Sequence, residues 1–165
     1  MALIDALAGV TNAREPIPGL ATGGQPSVET FVALKAAGCN VVLDVRDPME
    51  PQPFDPAPTV RGAGLAYINI PVGHSMPQDE ALDTVRRAMR EIAGKGQRAF
   101  VYCNSGNRVG AALIPYLMLD RGMSEEAAVT AAMQIGTRSA ELIEGAVAYA
   151  QRHGDGGGTT AARTP

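Results

Sequence analysis

The stretch "RAFVYCNSGNRVGA", residues 98–111, runs from an apolar segment through one cysteine into a loop of small and amide residues and then into a helical pattern. The apolar segment is typical of a strand that is buried in a sheet. Gly106 suits the tight turn that precedes a helix, and Arg108 and Val109 open that helix. We therefore predict a strand–loop–helix unit with Cys103 at the carboxyl end of the strand.

Predicted strands and helices alternate along the rest of the chain. A short strand and a turn fall within residues 20–27, longer strands at 39–45 and 65–72, and helices at 28–38, 77–94, 109–119, 124–135 and from 139 onward. This alternation argues for a mostly parallel sheet with helices on both sides. We expect an α/β fold with a central sheet of four to five strands flanked by helices on both faces.

Three segments are predicted to lie outside this pattern. Residues 1–16 form an N-terminal segment with one helical turn, and the stretch "NAREPIPG", residues 12–19, breaks regular structure with two prolines and a glycine. Residues 46–59 hold five prolines and are predicted to be a long loop, in which Glu50 is solvated. Residues 154–165 are predicted to be a disordered tail, which leaves one domain over residues 17–153.

Composition restricts the class of partner. The 165 residues are enough for one domain, and 14 Lys and Arg against 17 Asp and Glu give a formal charge of -3. No broad cationic surface is available to hold a nucleic-acid backbone. We expect a small anionic or phosphorylated substrate in a local positive pocket, and no nucleic acid.

Cysteine usage and hydropathy point to a cytoplasmic protein. The chain has two cysteines, Cys39 and Cys103, no export signal at its start, and no apolar run near the roughly 20 residues that cross a bilayer. We expect free thiols in a reducing compartment and no membrane partner, while oligomeric state stays open. No CxxC pair or close His/Cys cluster indicates a metal, and no motif indicates a cofactor.

The loop after the predicted strand favours negative charge. Cys103 lies where ligands collect in parallel sheets, at the carboxyl ends of the strands. The amides of the loop and the first helical turn can bind an oxyanion: Asn104, Ser105, Gly106, Asn107 and Val109. Arg108 adds a two-donor fork, so the loop favours the thiolate, which is the nucleophilic form. A cysteine at a strand end is more often packing, and Cys39, with no such loop behind it, is assigned to the core.

Three stretches resemble one known family in the order in which they occur. They are "TGGQPSVETFVALKAAGCNVVLDVRDPME", "YINIPV" and "YCNSGNRVGAALIPYLMLDRGMSEEAA". They resemble the bacterial phosphatase-like domain that is also fused to beta-lactamase-hydrolase-like proteins, within the protein tyrosine and dual-specificity phosphatase-like superfamily. The resemblance covers residues 17–152. It implies that Cys103 is a nucleophile that forms a phosphocysteine, that residues 104–108 cradle the oxyanion, and that Arg108 holds it.

The chain departs from the superfamily pattern at several positions. Its Cys-to-Arg loop is one residue shorter than usual, Tyr102 replaces the common His, and Val109 replaces the common Ser or Thr. The aspartate that usually acts as the acid is missing. The possible acid or substrate contacts are His74, Asp79, Arg46 and Asp47, of which the last two close a strand and could instead form a structural ion pair.

Two rival functions stay open. The spacing of "CNSGNR" together with "VVLDVRDPME" also resembles rhodanese-type sulfurtransferases, in which the cysteine carries a persulfide. The second rival is a non-catalytic module that binds phosphate or sulfate with the same loop. Without a general acid, hydrolysis of poor leaving groups would be slow, since such an acid contributes about 10²–10⁴-fold.

Overall fold

A five-stranded sheet forms the centre of the molecule in the computed structural model, which describes residues 1–154. The strands are β1 (Arg14–Ile17), β2 (Leu20–Gly23), β3 (Val41–Asp44), β4 (Ala66–Asn69) and β5 (Ala99–Tyr102). The spatial order is β1-β2-β5-β3-β4, with β1 antiparallel to β2 and every other pair parallel. The prediction of an α/β fold with a mostly parallel sheet is confirmed.

Helices cover both faces of the sheet. After a 3-10 helix (Leu3–Ala6) they are α1 (Val28–Ala36), α2 (Pro56–Gly62), α3 (Asp79–Gly94), α4 (Asn107–Leu119), α5 (Glu125–Ile135) and α6 (Ala140–Gly154). Side chains alternate between two cores along β5: Val101 and Cys103 face the core under α3–α6, whereas Phe100 and Tyr102 face the core under α1 and α2. This alternation places Cys103 against α4 and Tyr102 on the opposite face.

Two proline-rich segments are more regular than predicted. The stretch predicted to break structure contains β1, an edge strand with an irregular register in which Pro16 is tolerated because one side of an edge strand needs no donor. The predicted loop at residues 46–59 ends in α2, where Pro56 occupies the first turn and so removes only an N–H that the helix would leave unbonded. The expectation for residues 12–19 was therefore wrong, whereas the predicted loop is present at residues 46–55 and only residues 56–59 differ.

The ends of the chain also differ in detail from the prediction. Leu3 and Leu7 of the N-terminal segment are buried against the face covered by α1. Gly154 is the last residue of α6 rather than the start of a tail, and residues 155–165 lie outside the described residues. Among the helices of residues 1–154, none is long and apolar enough to span a membrane.

Candidate active site

Cys103 follows the central strand β5 and starts a short loop into α4. The residue is 1% exposed, and its Sγ accepts a hydrogen bond from the backbone N–H of Gly106 at 3.0 Å. Gly106 caps α4 with a left-handed backbone, φ +95°, which allows its N–H to turn back toward the sulfur. The loop thus wraps around the thiol and directs at least one amide at it.

The carbonyl groups of this loop are held from outside. Their donors come from three separate parts of the chain. Gln25 N bonds Asn104 O (3.0 Å) and Asn12 Nδ2 bonds Ser105 O (2.7 Å). The neighbouring residues Thr137 and Arg138 both bond Asn107, Thr137 Oγ1 to its O (2.7 Å) and Arg138 N to its Oδ1 (2.7 Å). Within residues 1–154, the amides of 104, 105 and 107–109 donate to no protein acceptor. The loop therefore keeps five amide N–H groups available for a ligand.

Gly106 is needed for space as well as for backbone conformation. A Cβ at this position would lie 2.6 Å from the carbonyl oxygen of Ile135. We expect Gly106→Ala to lower the free energy of unfolding by more than about 2 kcal/mol, because backbone strain and a backbone collision add. Urea unfolding measures this effect.

Gly9 supplies the matched control for that substitution. It has a similar φ of +82°, but a Cβ there would meet nothing within 4 Å. Gly9→Ala should therefore lose only the strain of a left-handed residue, about 1–2 kcal/mol. An equal or smaller loss for Gly106→Ala would show that the loop can relax away from Ile135.

Arg108 lies in the first turn of α4 and is only 2% exposed. Its two terminal nitrogens bind the two carboxylate oxygens of Glu50, Nη1 to Oε2 at 2.6 Å and Nη2 to Oε1 at 3.0 Å, and Nη1 also lies 3.5 Å from Val72 O. The bonds from Arg108 lower the pKa of Glu50 below its ordinary value, although partial burial opposes this. Glu50 is therefore an ionised partner of the arginine, and the prediction that it is solvated was wrong.

Arg46 lies in a buried polar network on the other face of the sheet. Its guanidinium bonds both carboxylate oxygens of Asp44 at 3.0 Å and the hydroxyl of Tyr102 at 3.2 Å, and it also donates to Gln25 Oε1. Burial, reinforced by the charge of Asp44, raises the pKa of Tyr102, which stays a neutral phenol. The backbone N–H of Gln25 also donates to Asn104 O, so Gln25 links this network to the Cys103 loop.

Within residues 1–154, none of the remaining predicted contacts forms a hydrogen bond with Cys103 Sγ. Asp47 is exposed and accepts from Met49 N. Asp79 begins α3 and pairs with Arg152 at 2.7 Å. His74 is 69% exposed, with Nε2 4.0 Å from Glu50 Oε2, and so lies at the edge of the Glu50–Arg108 pair. Across residues 1–154 no group of His, Cys, Asp and Glu is arranged to hold a metal ion.

Cys39 contrasts with Cys103. It is 0% exposed in the core under α1, and its Sγ lies near the carbonyls of Val41 and Arg98. Burial raises the pKa of its thiol to about 11. Both cysteines are free, so the described chain holds one packed thiol and one thiol that accepts a hydrogen bond from an amide of its own loop.

Several residues that build the site were missed by the sequence analysis. Asn12, Thr137 and Glu50 reach the loop or its arginine from positions 93, 30 and 58 residues away. Nothing local in the sequence marks such pairs. One available signal was a lone glutamate in a proline-rich loop directly after a strand that ends at the same edge of the sheet as Cys103.

Comparisons with known proteins identify the fold. No protein-family model and no curated protein matches the chain. Among solved structures, a candidate phosphatase (DUF442) from Shewanella putrefaciens CN-32 is 24% identical with a TM-score of 0.75, over 90% of this chain and 97% of that one. Tk-PTP in its active form is 19% identical with a TM-score of 0.74, over 86% and 97%. A mouse protein described as a dual specificity phosphatase candidate, in complex with zinc tungstate, is 21% identical with a TM-score of 0.70, over 91% and 93%.

These similarities show that the chain has the fold of the protein tyrosine and dual-specificity phosphatases. The fold part of the predicted resemblance is confirmed. The narrower resemblances, to the domain fused with beta-lactamase-hydrolase-like proteins and to rhodanese-type sulfurtransferases, stay predictions.

Proposed function

We propose that the chain is a cysteine-dependent phosphatase that hydrolyses phosphate monoesters through a phosphocysteine intermediate. The observation that carries this proposal is the loop itself: Sγ of Cys103 accepts from Gly106 N at 3.0 Å, while five further loop amides have no acceptor in residues 1–154. Such an arrangement stabilises negative charge on the sulfur and on the oxygens of a bound phosphoryl group. The fold of the solved phosphatase structures adds support.

The reaction has two displacement steps. The thiolate of Cys103 attacks phosphorus and the ester P–O bond breaks, so the phosphoryl group passes to sulfur and the alcohol leaves with a proton from solvent. Water then attacks the phosphocysteine, which releases inorganic phosphate and a proton and returns the thiolate. In both steps the loop amides and Arg108 stabilise the oxyanion.

The state of Glu50 restricts the range of substrates. Its carboxylate is held ionised by Arg108 and is therefore a poor proton donor in this arrangement. We expect the enzyme to prefer phosphate esters of acidic alcohols, such as aryl phosphates, whose departure needs no general acid.

The ionised state of Glu50 also favours sulfur transfer as a second candidate function, because that reaction needs no proton donor. The thiolate would attack the outer sulfur of thiosulfate, the S–S bond would break, and sulfite would leave without needing a proton. Cyanide would then remove the sulfur from the Cys103 persulfide as thiocyanate and restore the thiolate.

One preparation tests these candidates side by side. Turnover is measured with an aryl phosphate and with thiosulfate plus cyanide, and the mass of the Cys103 peptide is determined after acid quenching. We expect aryl phosphate turnover and a phosphoryl adduct on Cys103. Gain of one sulfur with thiocyanate formation would favour sulfur transfer, and neither adduct nor turnover would favour a binding module.

A further inference from the structure

Glu50 takes two of the N–H groups of the arginine that the proposed function assigns to the substrate. We propose that Glu50 is a specificity-determining residue, whose carboxylate competes with anions for the charge of the Arg108 guanidinium. This inference rests on the proposed function in one respect, namely that Arg108 binds the oxyanion. It adds that the Glu50 carboxylate weakens the binding of a second anion at Arg108.

The geometry of the pair supports competition. Glu50 takes one N–H from each terminal nitrogen of Arg108, at 2.6 and 3.0 Å, in the two-bond form that a phosphate would also use. Arg108 is 2% exposed, and therefore little solvent is present to screen a second anion beside it. Nε–H and one N–H of Nη2 have no acceptor among residues 1–154. An anion bound by these two N–H groups would share the single positive charge of Arg108 with the Glu50 carboxylate.

The charges near the Glu50–Arg108 pair also disfavour the entry of a second anion. The buried Arg46 is already paired with Asp44, so its charge is compensated on the other face of the sheet. The thiolate of the proposed mechanism is itself negative. With Glu50 in place, a phosphate dianion would therefore enter a site whose buried arginine is already neutralised, and like charges at short range disfavour it.

The turn that carries Glu50 is held together by its own hydrogen bonds. Its hydrogen bonds are internal: Asp47 N donates to Glu50 Oε2 (2.8 Å), Met49 N to Asp47 Oδ1 (2.8 Å), and Glu50 N to Asp47 O (3.0 Å). Within residues 1–154, the two bonds to Arg108 are the hydrogen bonds that tie residues 47–50 to the rest of the molecule, and His74 Nε2 lies 4.0 Å from Glu50 Oε2. Met49 is 89% exposed. Loss of the Arg108 contact would therefore release the turn without breaking its internal bonds.

Binding of inorganic phosphate tests the proposal. Affinity is measured by calorimetry for the unmodified chain and for Glu50→Ala and Glu50→Gln. We expect about tenfold tighter binding for Glu50→Ala, since the competing carboxylate is gone, and a smaller gain for Glu50→Gln, whose amide oxygen can still accept one bond from Arg108. Circular dichroism checks that each variant is folded. If Glu50→Ala does not fold, the phosphate affinity of the near-isosteric Glu50→Gln alone tests the proposal.

Asp47→Asn is the matched control. It removes one negative charge from the same turn and keeps an oxygen that can accept from Met49 N. Its affinity for phosphate should stay within about twofold, because exposed charges are screened. A gain as large as that of the Glu50 variants would overturn direct competition in favour of general charge repulsion.

Two further results would overturn the proposal in distinguishable ways. Unchanged or weaker phosphate binding in both Glu50 variants, with binding that still depends on Arg108, would show that Glu50 orients the arginine; the proposed function would stand and this inference would fail. If phosphate binds neither the unmodified chain nor any Glu50 variant, the oxyanion site of the proposed function fails, and the competition fails with it.

Discussion

Replacement of Cys103 by serine is expected to reduce turnover by at least about 10³-fold, because the hydroxyl replaces the only thiolate that the amide loop surrounds. Serine is close in size and can still accept from Gly106 N, so binding of inorganic phosphate should change by no more than a few-fold. Initial rates with an aryl phosphate and calorimetric titration with phosphate measure the two effects separately.

Cys39→Ser is the matched control for the loss of a thiol. Its hydroxyl can donate to the same carbonyls, of Val41 and Arg98, that the Cys39 thiol approaches, and we expect activity close to that of the unmodified chain. Undiminished turnover in Cys103→Ser would refute the assignment of the nucleophile. A loss confined to Cys39→Ser would do the same.

Removal of the Arg108 guanidinium is expected to have the second largest effect. Arg108→Ala deletes two charge-assisted hydrogen bonds to the oxyanion, and phosphate affinity should fall on the order of 10²-fold or more. Arg108→Lys keeps the charge but not the planar fork and should recover only part of that loss. Titration with phosphate measures both variants, and circular dichroism checks that they are folded, since either change alters the partner of Glu50.

Arg138→Ala controls for the loss of one positive charge near the loop. Its backbone N–H holds Asn107 Oδ1 at 2.7 Å and survives the substitution, while its exposed guanidinium bonds carbonyls of Met133 and Thr137. Phosphate affinity should change by less than about threefold. If Arg138→Ala weakens binding as much as Arg108→Ala does, the fork of Arg108 has no special part in binding.

Much of the fold could be predicted because its signals are local. The runs that became β3 and β5 are continuous and apolar, as strands covered on both faces must be, and Leu82, Val85, Met89 and Ile92 recur at the spacing of one buried helix face. The edge strand β1 was missed because Pro16 argues against a strand interior but not against an edge. Only the order of the strands shows that this segment lies at the edge of the sheet and not in its interior.

The candidate site likewise contains parts that local sequence could predict and parts that depend on distant contacts. The Cys103 loop is contiguous in sequence, so its glycine, its amides and the start of α4 could be predicted together. Glu50 could not be paired with Arg108, because their contact spans 58 residues and depends on two strands ending at one edge of the sheet. Arg46 likewise could be placed at a strand end, but its burial beside Asp44 and Tyr102 required the packed structure.

The reactivity of Cys103 tests the central claim most directly. The chain is treated near neutral pH with iodoacetate, an anionic alkylating reagent, with and without inorganic phosphate, and peptide masses give the rates of modification of Cys103 and Cys39. We predict that Cys103 is alkylated at least about tenfold faster than the buried Cys39, and that phosphate protects it because both anions bind the same loop. Alkylation of Cys103 no faster than that of Cys39, or without protection by phosphate, would contradict the claim that the loop forms an anion site around a nucleophilic sulfur.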